Sequence, residues 1–276
     1  MKLGVCAFVT ERGLGICDVA RRVEGAGLES LWLVQNTHVP VSGAALLEEE
    51  HHERDHHLLD PFVALGAAAA VTTRIRLGTG ICVAPIYDPI ILAMQVSTLD
   101  QVSSGRFLFG IGLGHEDTVE NHGVSTGQRQ RAMREKVLAM QALWAADDAE
   151  HHGEFVDFAP VLTGLRPLQQ PHPPILIGRQ GSRGIADTVE FGDAWMPIVY
   201  PELDLAAHVE ELHRRCHAAG RPAAPVTAGL LELDEPLLER CAGLGVDRCL
   251  VVGHAEDKDT FPAFLERYSA LVDRFA

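Results

Sequence analysis

A short polar segment framed by glycines, Gly178-Arg179-Gln180-Gly181-Ser182, directly follows an apolar stretch that ends at Ile177. Glycine lets backbone N–H groups approach a ligand closely, and a helix that begins here would present its positive end to an anion. The segment therefore predicts a phosphate-binding turn between a strand and a helix. An ordinary glycine-rich turn without a ligand fits the same residues, because such turns are common.

A second pattern that could carry chemistry is a histidine pair in the run EEEHHERDHH, from Glu48 to His57. His52 and His56 stand four residues apart, so a helix would bring both rings to one side, where they could bind zinc. The run lacks the HExxH pattern of zinc enzymes, and a solvated charged helix explains it as well. We favour the solvated helix and expect no bound metal.

The elements that must position such residues are clearest between Arg74 and Gly114. Residues 75–83 are apolar enough to predict a strand that is covered on both faces. Asp88-Pro89 then supplies a helix cap and a proline at the first helical position, which predicts a helix over residues 90–99. A second apolar strand follows over residues 107–111. Two strands joined by a helix form a parallel unit.

Roughly eight strand–helix alternations along the chain predict an α/β fold, a single (β/α)8 or TIM barrel over residues 1–276. Such a barrel needs about 250 residues and builds its site from loops at the carboxyl ends of the strands. The connection Gln35 to Leu59, after the second strand, is unusually long and is expected to be a lid. Residues near 150–171 are expected to form a short hairpin-like excursion, residues 194–199 a strand, and residues 261–275 one last helix.

The amino-acid composition limits the kinds of molecule that the protein is expected to bind. The chain carries 23 basic and 38 acidic residues, a formal net charge of −15, which argues against binding to nucleic acid or to an anionic membrane. A small-molecule substrate fits better. Six scattered cysteines without a CxxC pair are expected to be free thiols in a reducing cytoplasm. The first residues lack the pattern of a signal peptide, so we do not expect export. No apolar run reaches the roughly 20 residues of a membrane span.

Several sequence segments together resemble those of the luciferase-like flavin and deazaflavin oxidoreductases, a branch of the (β/α)8 barrels. They include GLESLWL, RIRLGTG, TLDQVSSGRFLFGIGLG, PHPPILIG and FGDAWMP, in this order along almost the whole chain. The resemblance implies hydride transfer between the deazaflavin coenzyme F420 and a small organic substrate, in a homodimer. Two alternatives remain open, an FMN-dependent monooxygenase and a barrel that binds a ligand or partner without catalysis.

The resemblance also implies roles for particular residues. The cofactor phosphate would lie on residues 177–182, and a non-proline cis peptide at Gly80-Ile81 would lie beneath the ring. Val83 and Leu113 would border the ring, and Gly112, Gly114 and His115 would line its other edge.

Gln35 and Asn36 stand where deazaflavin-dependent members usually have Asp-His. Amides can hydrogen-bond the ring but cannot exchange protons near neutral pH. The histidines that could replace this acid–base function are His38, His57 and His115.

Overall fold

Eight parallel strands form a barrel in the computed structural model, which describes residues 1–39 and 57–275. The strands in chain order are β1 (Lys2–Phe8), β2 (Ser30–Leu33), β3 (Arg76–Thr79), β4 (Cys82–Val83), β5 (Phe107–Gly112), β6 (Asp148–His152), β7 (Asp157–Leu162), β8 (Ile175–Ile177), β9 (Ala194–Trp195), β10 (Thr227–Leu230) and β11 (Arg248–His254). Strand β4 continues β3 along the same neighbour, β5. Strands β6 and β7 form a separate antiparallel hairpin.

Helices follow most of the barrel strands and cover the outside of the sheet. They are α1 (Ile16–Gly25), α2 (Pro61–Val71), α3 (Pro89–Val102), α4 (Glu116–Asn121), α5 (Arg129–Ala145), α6 (Gly181–Phe191), α7 (Leu205–Ala218), α8 (Glu235–Gly243), α9 (Thr260–Ser269) and α10 (Val272–Phe275). Short 3-10 helices span Ala84–Ile86 and Thr126–Gln128. The main hydrophobic core lies between these helices and the strands.

The strand order closes the sheet into a ring. It runs β10-β11-β1-β2-β3-β5-β8-β9, and β1 pairs with β11 over its whole length, from Lys2 opposite Arg248 to Phe8 opposite His254. The remaining gap between β9 and β10 is bridged after β9, where the backbone N–H of Val199 donates to the Gly229 carbonyl at 2.7 Å. The predicted (β/α)8 barrel is therefore confirmed.

The two Asp-Pro pairs begin helices as predicted. The carboxylate of Asp60 accepts the backbone N–H of Val63 at 2.9 Å at the start of α2. The carboxylate of Asp88 accepts the N–H groups of Ile90 and Ile91, both at 3.0 Å, at the start of α3. Each cap satisfies donors that the first helical turn leaves unpaired, and the proline costs no hydrogen bond there.

The interior of the barrel is filled by side chains of six strands. Trp32 is fully buried there and packs with Cys6, Leu108, Leu176, Ala194 and Leu250. At the amino-terminal end of the barrel, the guanidinium of Arg248 donates to both carboxylate oxygens of Glu29 at 2.7 Å and lies over the Trp32 ring. This ion pair closes the end of the barrel opposite to the carboxyl ends of the strands.

Three predicted elements differ from the structure. The strand predicted over residues 75–83 is interrupted at Gly80-Ile81, which lie between β3 and β4. The strand predicted over residues 194–199 ends as a regular strand at Trp195. Pro197 has no N–H to donate to β8, and its carbonyl instead accepts the backbone N–H of Gly229 in β10.

The single last helix predicted over residues 261–275 is divided into α9 and α10. The chain turns at Ala270 and Leu271, so that Tyr268 and Phe275 can both be buried. The hairpin β6–β7 confirms the excursion predicted near residues 150–171, but it begins at Asp148. Its turn is held by Glu135 of α5, whose carboxylate accepts the N–H groups of residues 154–156.

The predicted lid falls largely on residues 40–56, which lie outside the described residues, as do His52 and His56. Its returning end is described: the backbone N–H of Leu59 donates to the Val9 carbonyl at 3.0 Å, beside the end of β1. None of the helices in the described ranges has the length and apolar character for a membrane span. All six cysteines are free, as expected.

Candidate functional site

A cavity of about 300 Å3 opens at the carboxyl ends of β1, β2, β4 and β5. These ends meet on one face of a parallel barrel, which is where barrel enzymes build their sites. The described residues that line it are Phe8, Val34, Gln35, Asn36, Leu58, Gly80, Ile81, Val83, Gly114, His115 and Thr118. Seven of the residues expected at the site from the sequence are therefore brought together here: Gln35, Asn36, Gly80, Ile81, Val83, Gly114 and His115.

Gln35 holds one wall of this cavity in place. Its side-chain oxygen accepts the backbone N–H of Val83 at 2.7 Å, and its amide nitrogen donates to the Tyr87 hydroxyl. Burial raises the pKa of Tyr87, so its hydroxyl keeps its proton near neutral pH. Because both ends of the Gln35 amide are bound, Gln35 fixes the segment from β4 to Tyr87.

The floor of the cavity is the peptide bond between Gly80 and Ile81, which is cis, as the family resemblance implied. The thiol of Cys6 lies inside the barrel next to it and donates to the Gly80 carbonyl oxygen at 3.7 Å. Burial raises the pKa of Cys6 to about 12, so the thiol stays protonated. Cys6 therefore supports the floor as a neutral group.

Three polar side chains in the cavity wall have no hydrogen-bond partner within the described ranges. They are Asn36, which is half-buried, His115, which is exposed just before α4, and Thr118, which is 4% exposed. The Thr118 hydroxyl is not among the described buried polar atoms that lack a partner, so it opens into the cavity, where solvent reaches it. These three groups are therefore the ones available to a bound molecule.

The glycine-framed segment 178–182 lies next to the cavity. A Cβ on Gly178 would lie 2.5 Å from Cγ2 of Ile81, and a Cβ on Gly112 would lie 2.9 Å from Cδ1 of the same residue. Ile81 thus packs against both glycines on one side and lines the cavity on the other. The absence of a side chain at Gly178 and Gly112 is what makes room for Ile81.

The segment 178–182 leads into α6. The backbone N–H of Gly178 donates to the Ile111 carbonyl at 2.7 Å, which leaves the N–H groups at the start of α6 for a ligand. The side chains of the segment are largely engaged. Arg179 forms an ion pair with buried Asp187 at 2.7 Å, so its charge is offset. Gln180 donates to the Ile198 carbonyl, and Ser182 donates to Glu211 at 3.0 Å. Arg183 is exposed, and no ion pair is formed by it among the described residues.

Two of the three candidate histidines lie outside the cavity. His38 contacts Thr37 at 2.9 Å and Asn121 at 2.9 Å, and its ring lies 5.5 Å from that of His122. Burial and the neighbouring His38 lower the pKa of His122. His57 contacts the carboxylate of Glu11 at 2.7 Å. Only His115, of these three, lines the cavity.

Ile177 and Leu113 were also expected at the site. Neither lines the described cavity: Ile177 belongs to the main hydrophobic core, and Leu113 packs against it. Conversely, the cavity includes Phe8, Val34, Leu58 and Thr118, which sequence reasoning missed. Phe8 and Val34 follow from their position at strand ends, whereas Leu58 and Thr118 reach the cavity only through the tertiary structure. Within residues 1–39 and 57–275, no group of three or more His, Cys, Asp or Glu could hold a metal ion.

Comparisons with known proteins identify a matching family and individual proteins of similar sequence. Residues 10–231 match the sequence profile of a family described as luciferase-like monooxygenases. The chain is 36% identical over 282 residues to the uncharacterized protein Rv0953c of Mycobacterium tuberculosis, covering 98% of both chains. It is also 38% identical over 169 residues to the oxygenase component of a flavin-dependent trigonelline monooxygenase from Acinetobacter baylyi, covering 59% of this chain and 41% of that protein.

A solved structure shows the same fold over its full length. It is an F420-dependent secondary alcohol dehydrogenase in complex with an F420–acetone adduct. The two chains superpose with a TM-score of 0.82 at 16% identity, covering 100% of this chain and 99% of the other.

Proposed function

Because the chain belongs to the luciferase-like monooxygenase family, we propose that it is an oxidoreductase that uses coenzyme F420 to transfer a hydride to or from a small organic substrate. The observation that carries the proposal is the cavity at the carboxyl ends of the strands, with its largely apolar and uncharged lining. Ligand sites of this kind combine apolar walls with a few polar groups. The full-length likeness of the barrel to an F420-dependent dehydrogenase supports the same cofactor.

The residues present fit such a cofactor. Gly80, Ile81 and Val83 on one side and Gly114 on the other would hold a planar ring between backbone and aliphatic surfaces. The N–H groups at the start of α6 would hold the phosphate, because that helix end is positively polarised. The cofactor supplies the hydride chemistry when bound.

The protein's own share is to orient the bound molecules and to exclude water. Gln35 fixes the position of Val83 in the wall. His115 is the one of the three candidate histidines that lines the cavity, and we propose that it handles the proton, since an imidazole ring can both donate and accept one. His38 and His57 are engaged with neighbouring side chains elsewhere.

The second candidate function is an FMN-dependent monooxygenase. It is favoured by the 38% identity to the oxygenase component of a flavin-dependent monooxygenase. The two candidate functions differ in the cofactor that the same cavity would hold, F420 or FMN.

Side-by-side fluorescence titrations with F420 and FMN test the proposal. We expect tighter binding of F420. An FMN preference of tenfold, about 1.4 kcal/mol, would reverse the assignment in favour of the monooxygenase. Binding of neither cofactor would indicate a barrel without this catalytic function.

The phosphate position can be tested at Ser182, which is exposed at the first turn of α6. Ser182→Asp would place a carboxylate where the phosphate is proposed to lie, and like charges about 4 Å apart repel by several kcal/mol near a protein surface. We expect the cofactor dissociation constant to rise at least tenfold. Ala186→Asp, at an exposed position one turn further along α6, is the matched control and should leave the dissociation constant within twofold. Equal effects of both changes would show that the phosphate does not lie at the start of this helix.

We also propose that two copies of the chain form a dimer through α2 and α3. Helix α2 carries no charged residue, and apolar side chains on the two helices are exposed, Val63 at 76% and Met94 at 56%. A contiguous apolar surface of this kind is typical of protein interfaces. Sedimentation velocity should show twice the mass of one chain, and Val63→Glu should convert it to the monomer. Leu231→Glu, at another exposed leucine, should leave the dimer intact; a wild-type monomer would contradict the proposal.

We propose a cytoplasmic location. Six cysteines without a disulfide support it, because free thiols persist in a reducing compartment.

A further inference from the structure

A second cavity, of about 290 Å3, lies on the outer side of the barrel, between α3, α5 and the chain at the end of β7. None of the described residues that line this outer cavity also lines the cavity at the carboxyl ends of the strands. Its rim includes exposed apolar side chains, Ile91 and Met94 of α3 and Leu162 of β7. Trp144 of α5 forms part of its inner wall and is buried. The outer cavity is therefore a separate apolar site.

Ser97 of α3 lines the outer cavity and is fully buried. Its hydroxyl has no hydrogen-bond partner among the described residues. Three other hydroxyls within or at the end of a helix, those of Thr72, Thr98 and Thr188, each donate to the carbonyl four residues earlier at 2.7 or 2.8 Å. Ser97 does not form the bond that its neighbour Thr98 forms.

The carbonyl that Ser97 would use in this way belongs to Ala93, and it is already occupied. It accepts the helical N–H of residue 97 and the indole N–H of Trp144, the latter at 3.3 Å. A carbonyl oxygen has two lone pairs, so neither is left for the hydroxyl. A buried hydroxyl without a partner is uncommon and unfavourable. A hydrogen-bonding atom of a bound molecule would satisfy it.

Met94 is the exposed residue of the outer cavity that is closest to Ser97 along α3. It lies three residues earlier, on the same face of the helix, and is 56% exposed. Helical side chains lean towards the amino terminus of their helix, so Ser97 leans towards this turn. The unbranched methionine side chain changes its conformation easily. A ligand that displaces Met94 therefore reaches the Ser97 hydroxyl.

We propose that the outer cavity binds a neutral aromatic alcohol with two fused rings, whose oxygen is hydrogen-bonded to Ser97. A cavity of about 150 Å3 holds benzene, so one about twice as large has room for a second ring. The indole of Trp144 and the thioether of Met94 both form favourable contacts with aromatic rings. Binding is non-covalent, and it neither requires nor competes with the cofactor of the proposed function.

Equilibrium dialysis with β-naphthol and naphthalene tests this, because the two probes differ by one hydroxyl. The wild type should bind β-naphthol, and Ser97→Ala should weaken this binding about tenfold, the size of a lost hydrogen bond. Naphthalene should bind Ser97→Ala within twofold of wild type or more tightly. No binding of β-naphthol by the wild type, unchanged binding in Ser97→Ala, or an equal loss for both probes would overturn the inference.

Thr98→Ala is the matched control. It removes the neighbouring hydroxyl, which is paired with the Met94 carbonyl and does not line the outer cavity. Both probes should bind this variant within twofold of wild type. A loss of β-naphthol binding in Thr98→Ala as large as that in Ser97→Ala would overturn the inference, because the loss would then not depend on the unpaired hydroxyl.

Two further measurements separate the outer cavity from the other surfaces of the protein. The affinity for β-naphthol should stay within twofold when F420 or FMN is added in excess, and in the Val63→Glu variant. Competition by either cofactor would place the probe in the cavity at the carboxyl ends of the strands. A changed affinity in Val63→Glu would assign the outer cavity to a contact between two copies of the chain. Either result would overturn the inference.

Discussion

Replacing Arg248 with methionine is expected to lower the free energy of unfolding by about 3 kcal/mol, because it leaves the charge of Glu29 buried without its partner. The two side chains share two hydrogen bonds of 2.7 Å at the amino-terminal end of the barrel, where Arg248 is 8% exposed. Urea denaturation followed by circular dichroism measures the change. The double change Arg248→Met with Glu29→Met should recover most of the loss, since it removes both charges.

The free energy of unfolding that Arg248→Met loses should depend on pH in a definite direction. Burial alone would raise the pKa of Glu29, but the hydrogen bonds and charge of Arg248 hold it below its ordinary value. A carboxyl group with a depressed pKa contributes stability above its unfolded-state pKa and loses it as the pH falls through the folded-state pKa. The difference between wild type and Arg248→Met should therefore be full at pH 7 and shrink in acid. A difference that grows in acid would contradict the assignment.

Gln35→Leu is expected to weaken cofactor binding by about 2 kcal/mol, roughly 30-fold, because two hydrogen bonds that fix the cavity wall are lost. The backbone N–H of Val83 and the hydroxyl of Tyr87 would both lose their contact with Gln35. Fluorescence titration with F420 and FMN measures the dissociation constants.

Tyr87→Phe is the graded control for this change. It removes only the hydroxyl and leaves the bond between Gln35 and Val83, so its effect should be about half as large in free energy. Both variants should keep the wild-type circular dichroism spectrum. A Gln35→Leu protein that binds the cofactor within twofold of wild type would show that Gln35 does not position the wall.

Local sequence signals were sufficient for most of the barrel. Asp60-Pro61 and Asp88-Pro89 cap their helices with short-range hydrogen bonds that depend only on neighbouring residues. The strand that ends at Ile177 was predicted for the same reason, since its buried apolar residues lie between turn residues. Such features require no knowledge of the rest of the chain.

Contacts between distant segments could not be predicted in this way. Gln35 binds Val83 and Tyr87, about 50 residues later, and nothing in the local sequence indicates that its amide is occupied. Arg179 lies in the segment predicted to bind phosphate, but the fold of α6 brings its charge to Asp187. Both residues carry the right chemistry for a ligand. The tertiary structure determines whether that chemistry remains available.

The pairing of β1 with β11 has a consequence for how the protein is made. Ribosomes add about 5–20 residues per second, so β1 leaves the ribosome well before the strand that it pairs with, Lys2 opposite Arg248. Pairings between such distant segments also form slowly, because a long loop must close first. Until β11 has been synthesised, the nascent chain therefore exposes an unpaired edge of β1, together with the Glu29 carboxylate before its arginine exists.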